Sequence, residues 1–393
     1  MDGVILNSIV VNKRIVTYNF SVKGVALAKY FNDTKLFIEY PQEMTGVPTS
    51  ILAIPFVATV IPLMWATNTV LWVSEIDETF YNALKNIKNA YRELYNHFAL
   101  KGNFVSANLI DNSYLPTKDA LLLFSGGIDA YTTYVRIYDK KPGLVNIQGW
   151  YKNLSEQHKD ADQEFEMTQT VATKERVNGY TVRSNFATLI NEKHFCNTIK
   201  PKLHDTWWHG FNHSMGFISI AIPLAYLHGY KTVYIASSVP MGEYVMCASH
   251  VTIDSEFKFA NAGCCNHNGS ELTRQEKVNT IVNFVNDTGN QLELKVCSFN
   301  DHNCCRCTKC FRSILGIVAA GGDPRKFGFM INGSLKEHFS KVMEEDIKSF
   351  GISNDSALHW PAIIRQMKQN YNIIAEKDFV DWFINYDFVG KQK

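Results

Sequence analysis

Two stretches of the chain combine residue types and spacings suited to chemistry. The first is Ser125-Gly126-Gly127-Ile128-Asp129. It follows the short apolar run Ala120 to Phe124 and precedes an apolar-periodic segment, an order that reads as strand, glycine turn, helix. The glycines let the backbone pass close to an anion, and the helix beyond offers unpaired N–H groups and a positive dipole end. Asp129, just inside the helix, can cap it or help hold a metal bound to phosphate. An ordinary strand-to-helix turn with two glycines accounts for the same residues without any chemistry. No Gly-Lys-Ser/Thr run occurs here, so the stretch is not a Walker-type loop.

The second stretch holds five of the nine cysteines within 14 residues, Cys297 to Cys310. Cys297, Cys304, Cys307 and Cys310 can close a tetrahedral zinc site, with Cys305 to spare and His302 able to replace one thiolate. An iron–sulfur cluster is the rival, since four thiolates also hold those. Four protein ligands leave no open position, so the expected role is structural.

Weaker clusters lie between them. Trp207-Trp208-His209-Gly210-Phe211-Asn212-His213 precedes an apolar helix, and His209 and His213 could contact a purine-like base that stacks on tryptophan. Helix capping and an aromatic core explain that stretch equally well. Cys247, His250 and Asp254 with Cys264, Cys265 and His267 are too irregularly spaced for a clear second metal site. His250 and Asp254 are kept as substrate contacts.

The elements that must position these residues read as follows. At 393 residues two domains are the default. Residues 1–117 are expected to form an α+β domain, structural or partner-binding, with strands near Val4 to Val11, Arg14 to Phe20, Lys35 to Tyr40 and Phe104 to Ile110. A helix is expected from Ile76 to Phe98, and residues 112–117 as a linker. Residues 118–321 alternate strand and helix, which predicts a doubly wound parallel sheet that binds ligands at the carboxyl ends of its strands. Those ends fall at Ser125 to Asp129, Gln148 to Trp150, Ser184-Asn185 and Ser237-Ser238. A strand is expected at Leu292 to Val296, and residues 322–393 as a helical extension.

Composition narrows the classes. Apolar residues make up 46% and charged residues 20%, a soluble, globular balance, and a net charge of +1 gives no reason to expect nucleic acid. Residues 51–73 are free of charge, long enough to span a bilayer. Pro55 and Pro62 interrupt them, and Glu43, Glu75 and Asp77 flank them in place of lysine or arginine, so a buried helix, a turn and a buried strand Val70 to Val73 are expected instead of a membrane span. No basic-then-apolar leader is visible, and clustered cysteines suit a reducing compartment, so a cytoplasmic location is expected.

The order Ser-Gly-Gly-x-Asp resembles the signature of the PP-loop ATP pyrophosphatases, which split ATP between the α and β phosphates and adenylate an oxygen of the substrate. The resemblance implies a pyrophosphate cradle of Ser125, Gly126, Gly127 and Asp129. It implies an ATP-binding stretch of Phe124, Ser125, Gly126, Gly127, Ile128, Asp129, Ala130, Tyr131, Thr132 and Thr133, together with Mg2+. The family pattern continues with Ser where this chain has Ala130; Thr132 and Thr133 follow within a turn. With a cysteine cluster roughly 170 residues on, followed by Lys309 and Arg312, residues 118–321 are similar to the 7-cyano-7-deazaguanine synthase branch. That branch binds one Zn2+ through four cysteines and activates 7-carboxy-7-deazaguanine for attack by ammonia. The likeness implies catalytic roles for Ser125, Asp129 and Lys277, and substrate contacts at Arg274, His209, His213, Ser237, Ser238, His250 and Asp254.

Stand-alone synthases lack a first domain of this size. Longer relatives in the Qat and type IV CBASS antiphage systems look like enzymes that attach the deazaguanine acyl group to a partner protein's N-terminal amine. The resemblance therefore implies a carbon–nitrogen ligase acting on a small-molecule carboxylate, with a partner protein slightly favoured as acceptor over ammonia, in a homo-oligomer or hetero-complex. Sulfur transfer to tRNA, amide synthesis on another metabolite, and a nucleotide-binding scaffold without turnover are the alternatives.

Overall fold

The computed structural model describes residues 2–149, 154–239, 245–297, 302–346 and 354–386. In chain order the elements are β1 (Gly3–Asn12), β2 (Ile15–Lys23), α1 (Val25–Ala28), β3 (Lys35–Glu39), α2 (Thr49–Thr67), β4 (Val70–Asp77), α3 (Glu78–Leu94), β5 (Asn103–Ile110) and β6 (Lys118–Leu123). There follow α4 (Ile128–Arg136), β7 (Gly143–Gln148), α5 (Leu154–Glu175), β8 (Gly179–Ser184), α6 (Glu192–Thr198), α7 (Lys200–Leu203), α8 (His213–His228) and β9 (Tyr230–Ala236). The last are α9 (Val251–Asp254), β10 (Lys258–Phe259), β11 (Gly263–Asn268), α10 (Arg274–Thr288), α11 (Thr308–Ala319), α12 (Leu335–Asp346), α13 (Asn354–Gln369) and α14 (Lys377–Ile384). These divide into two compact units, Met1–Ser125 with Ile137–Ser270, and Gly126–Arg136 with Glu271–Lys393.

The first unit contains one eleven-stranded, mostly parallel sheet in the order β10-β11-β9-β6-β7-β8-β3-β2-β1-β4-β5. It is an α/β architecture compatible with the expected doubly wound sheet. The boundary expected at residue 117 falls inside this unit. Strands from both sides of it share the sheet through the antiparallel pair β3–β8, where Ile38 faces Ser184. Buried Asp77, at the end of β4, explains part of that continuity. Its carboxylate accepts from Phe80 N at 2.9 Å, capping α3, from Asn112 Nδ2 at 3.0 Å and from Ala260 N at 3.0 Å. Three donors offset the cost of burying a carboxylate, and they tie the N-terminal strands to the segment before β11.

The uncharged stretch forms α2, which is long and apolar enough to cross a membrane, yet 89% of its apolar window is buried. It is a core helix of the first unit. Pro55 and Pro62 lie inside it, where each removes a backbone donor, and the Thr59 hydroxyl donates to Pro55 O at 2.8 Å. Asn68 ends the helix in the left-handed conformation, with φ 55°. Strand β4 then runs to Asp77, so the expected helix at Ile76 starts two residues later, at Glu78.

In the second unit α4 packs on α10 and α10 on α11. Leu292 to Val296 is not a ladder strand. Leu292 N and Leu294 N donate to Lys326 O and Phe327 O, so the segment is tied to the 3-10 helix Pro324–Phe327 in place of a sheet. Among the described residues of the C-terminal segment, α12, α13 and α14 are helical, as the pattern implies.

Candidate functional site

The chain leaves β6 at Leu123. Phe124 N donates to Val145 O at 2.8 Å, and Phe124 O accepts from Asn146 Nδ2 at 3.0 Å, which pins the strand end before the turn. Gly126 has φ 72°, a conformation that a side chain would strain, and Gly127 O accepts the first helical bond from Tyr131 N at 3.0 Å. Of the ten residues 124–133, only Ser125, Gly127 and Asp129 reach the surface; Phe124, Gly126, Ile128, Ala130, Tyr131, Thr132 and Thr133 are buried. The accessible three all belong to the Ser-Gly-Gly-x-Asp pattern. The Thr132 hydroxyl lies 2.8 Å from Ile128 O and 3.1 Å from Lys277 O, so it serves helix packing. The Thr133 hydroxyl is buried and has no hydrogen-bond partner among the described residues.

Within the second unit, the first turn of α4 meets the first turn of α10. Thr273 caps α10 in a reciprocal box with Glu276, a signal visible in the Thr-x-x-Glu spacing. Arg274 and Lys277, three apart, then share one helical face. Arg274 Nη1 lies 2.9 Å from both carboxylate oxygens of Asp129, and Lys277 Nζ lies 3.2 Å from Asp129 Oδ1. Burial pulls the Lys277 ammonium below its usual range, and the Asp129 carboxylate opposes that shift. The arrangement is a half-exposed carboxylate, two cations and two helix N-termini, which together suit an anion carrying a metal.

The four expected thiols come together in the same unit. Cys297, Cys304, Cys307 and Cys310 place their sulfurs within 4.8 Å of one another, with Cys297–Cys307 at 3.9 Å and Cys304–Cys310 at 3.8 Å. Zinc–sulfur bonds of about 2.3 Å at tetrahedral angles need sulfurs roughly 3.8 Å apart, so the set can hold a metal such as zinc. A cluster that puts each thiolate on its own iron would hold them farther apart. Cys307 N donates to Cys304 Sγ at 3.3 Å. Exposed His302 is not in the group, and Cys305 is the spare, at φ 57° with its carbonyl accepting from His338 Nε2.

Asn303 positions the centre and was not legible as such in the sequence. Its Oδ1 accepts from Val296 N at 3.0 Å and Cys297 N at 3.3 Å, while Nδ2 donates to Leu294 O at 2.7 Å. It thus clamps the segment carrying Cys297 onto the Cys304 loop. A lone asparagine among cysteines gives no pattern from which that role could be read.

The weaker clusters converge in the first unit. Asp254 Oδ2 accepts from His267 Nδ1 at 2.7 Å, with both side chains buried, and lies 3.4 Å from Ser249 Oγ. His250 caps α9 by accepting from Thr252 N, and burial lowers its proton affinity. His209 Nδ1 pairs with Asp205 at 2.9 Å, which raises its pKa. His213 packs edge-on against Trp208 and Phe217, and burial pushes its pKa down to about 4. Ser237 is buried and donates to Val239 O, whereas Ser238 is exposed. No second group of metal-ligating atoms gathers within 4.8 Å among the described residues. Trp150, expected near a strand end, lies outside the described residues.

Comparison of the chain with known protein families, curated proteins and solved structures returns no match in any of the three.

Proposed function

We propose that the chain is an ATP-dependent ligase of PP-loop type, cytoplasmic, which adenylates a carboxylate with release of pyrophosphate and passes the acyl group to an amine. The observation that carries the reading is the pairing of Asp129 with Arg274 and Lys277 beside a Gly-Gly turn. A triphosphate with Mg2+ needs a carboxylate for the metal, cations for the phosphates and backbone N–H groups free of side chains, and this turn has all three. Ser125 and the Gly126-Gly127 backbone would hold the departing pyrophosphate, and Asp129 the metal. Lys277 and Arg274 would stabilise charge that develops on the phosphates. The resemblance in sequence names 7-carboxy-7-deazaguanine as the carboxylate to try first, with the zinc centre as a structural support.

A protein amine is favoured as acceptor over ammonia by one feature of the sheet. Among the described residues strand β5 pairs only with β4, which leaves its other side an open edge, and Val105 and Leu109 of this strand are 45% and 43% exposed. An extended peptide can join such an edge through main-chain hydrogen bonds without demanding much sequence. The experiment supplies ATP and 7-carboxy-7-deazaguanine with ammonium or with a co-expressed partner. AMP formation with acylated partner protein, seen by intact mass, supports the reading. Efficient release of the free nitrile with ammonium alone would make the chain a synthase with added strands, and ATP binding without AMP under any carboxylate would make it a scaffold.

A further inference from the structure

The amino ends of four adjacent parallel strands in the first unit gather four cations for which the proposed reaction has no task. The strands run β9-β6-β7-β8, all parallel, so their entry points share one edge of the sheet. Lys118 opens β6, Lys140 and Lys141 precede β7, Arg176 precedes β8 and Tyr230 opens β9. These residues line a cavity of about 560 Å3, in which Asp119 is the one acid. Among the described residues none of the four cations has an ion-pair partner.

Tyrosines hold the lysines in place of carboxylates. Lys118 Nζ lies 4.9 Å from the centre of the Tyr230 ring and Lys141 Nζ 4.6 Å from that of Tyr138, while Lys140 is hydrogen-bonded to the Tyr234 hydroxyl. A ring face orients an ammonium without neutralising it, so the positive charge stays available. The whole chain carries a net charge of only +1, which makes this concentration local and not a reflection of general basicity. Lysines act as point charges toward phosphate, and the arginine fork adds paired donors.

We propose that this cavity is a binding site for a multivalent phosphate anion, a chain of two or three phosphoryl groups. A single monovalent anion would leave most of the positive charge unmatched. A long nucleic acid needs a stripe of cations, whereas these converge on one cavity. The site is separate from the turn at Ser125. The two lie at opposite ends of β6, whose six residues span roughly 20 Å at about 3.3 Å per residue.

The test is calorimetric titration of the full chain with inorganic tripolyphosphate and with ATP, combined with amine-reactive labelling read by mass spectrometry. The expected result is protection of Lys118, Lys140 and Lys141 by tripolyphosphate, weakening as salt rises. The double variant Lys140→Glu/Lys141→Glu should lose about tenfold or more in affinity, while Asp119→Asn should bind more tightly because it removes a repelling charge. Equal melting temperatures would show that these exposed positions leave the fold intact. Protection by ATP to the same degree as by the inorganic chain identifies the triphosphate as the group read; stronger protection by ATP assigns a nucleotide as its source. Unchanged affinity in the double variant, or stronger protection by a single-stranded oligonucleotide at equal phosphate, would overturn the assignment.

Discussion

Asp129 and Lys277 face one another across the first turns of α4 and α10, with the ammonium nitrogen 3.2 Å from Oδ1 and the lysine side chain 1% exposed. A buried ammonium needs a counter-charge, and a carboxylate that serves Arg274 as well keeps a partner if the lysine goes.

That sharing separates stability from activity. Lys277→Met should leave the unfolding free energy within about 1 kcal/mol of the parent, because Asp129 remains paired with Arg274 and the buried site becomes apolar. Substrate-dependent pyrophosphate release should fall by roughly a hundredfold or more, the scale of losing one preorganised electrostatic contact. Denaturant melts beside a pyrophosphate assay check both. A large loss of stability with unchanged turnover would make Lys277 a structural residue.

The metal centre should behave as a folding element. The purified chain should hold about one zinc, and Cys310→Ser should lose the metal together with several degrees of melting temperature, since binding energy is folding energy here. Asn303→Ala keeps all four thiols but strands the backbone groups that Asn303 satisfies, at about 1–3 kcal/mol. It should therefore retain zinc less well against a chelator. Metal analysis before and after chelator dialysis reads this directly, and equal retention would remove Asn303 from the centre's support.

His213 should shape acid stability. Its folded-state pKa of about 4 lies below the ordinary 6.5, so the folded chain resists a proton that the unfolded chain accepts. The stability it contributes is present above pH 6.5 and is lost as the pH falls towards 4, by about 3 kcal/mol in all. His213→Phe, which keeps the edge-on packing against Trp208 and Phe217, should lose less stability over that window. Parallel curves of unfolding free energy against pH for the two proteins would contradict this.

Much of the candidate site could be read from local pattern. The Ser-Gly-Gly-x-Asp turn and the four thiols each depend on neighbours in sequence, and each forms as its spacing implies. The pairing of Arg274 and Lys277 with Asp129 joins residues about 145 positions apart, and helix periodicity could show only that the two cations share a face. Long-range pairing also explains the other differences. The β3–β8 pair puts residues 1–117 into the same sheet as later strands, and no local feature of Lys35 to Glu39 announces that partner. Leu292 to Val296 has strand-like composition, but its backbone meets the 3-10 helix Pro324–Phe327 and forms no ladder.

The most direct measurement is AMP formation by Asp129→Asn compared with the parent, each supplied with Mg-ATP and 7-carboxy-7-deazaguanine. The substitution keeps side-chain size but removes the charge that would organise the metal and phosphates. The expected result is a folded variant with substrate-dependent AMP release reduced to background beside an active parent. Equal AMP production by variant and parent would contradict it.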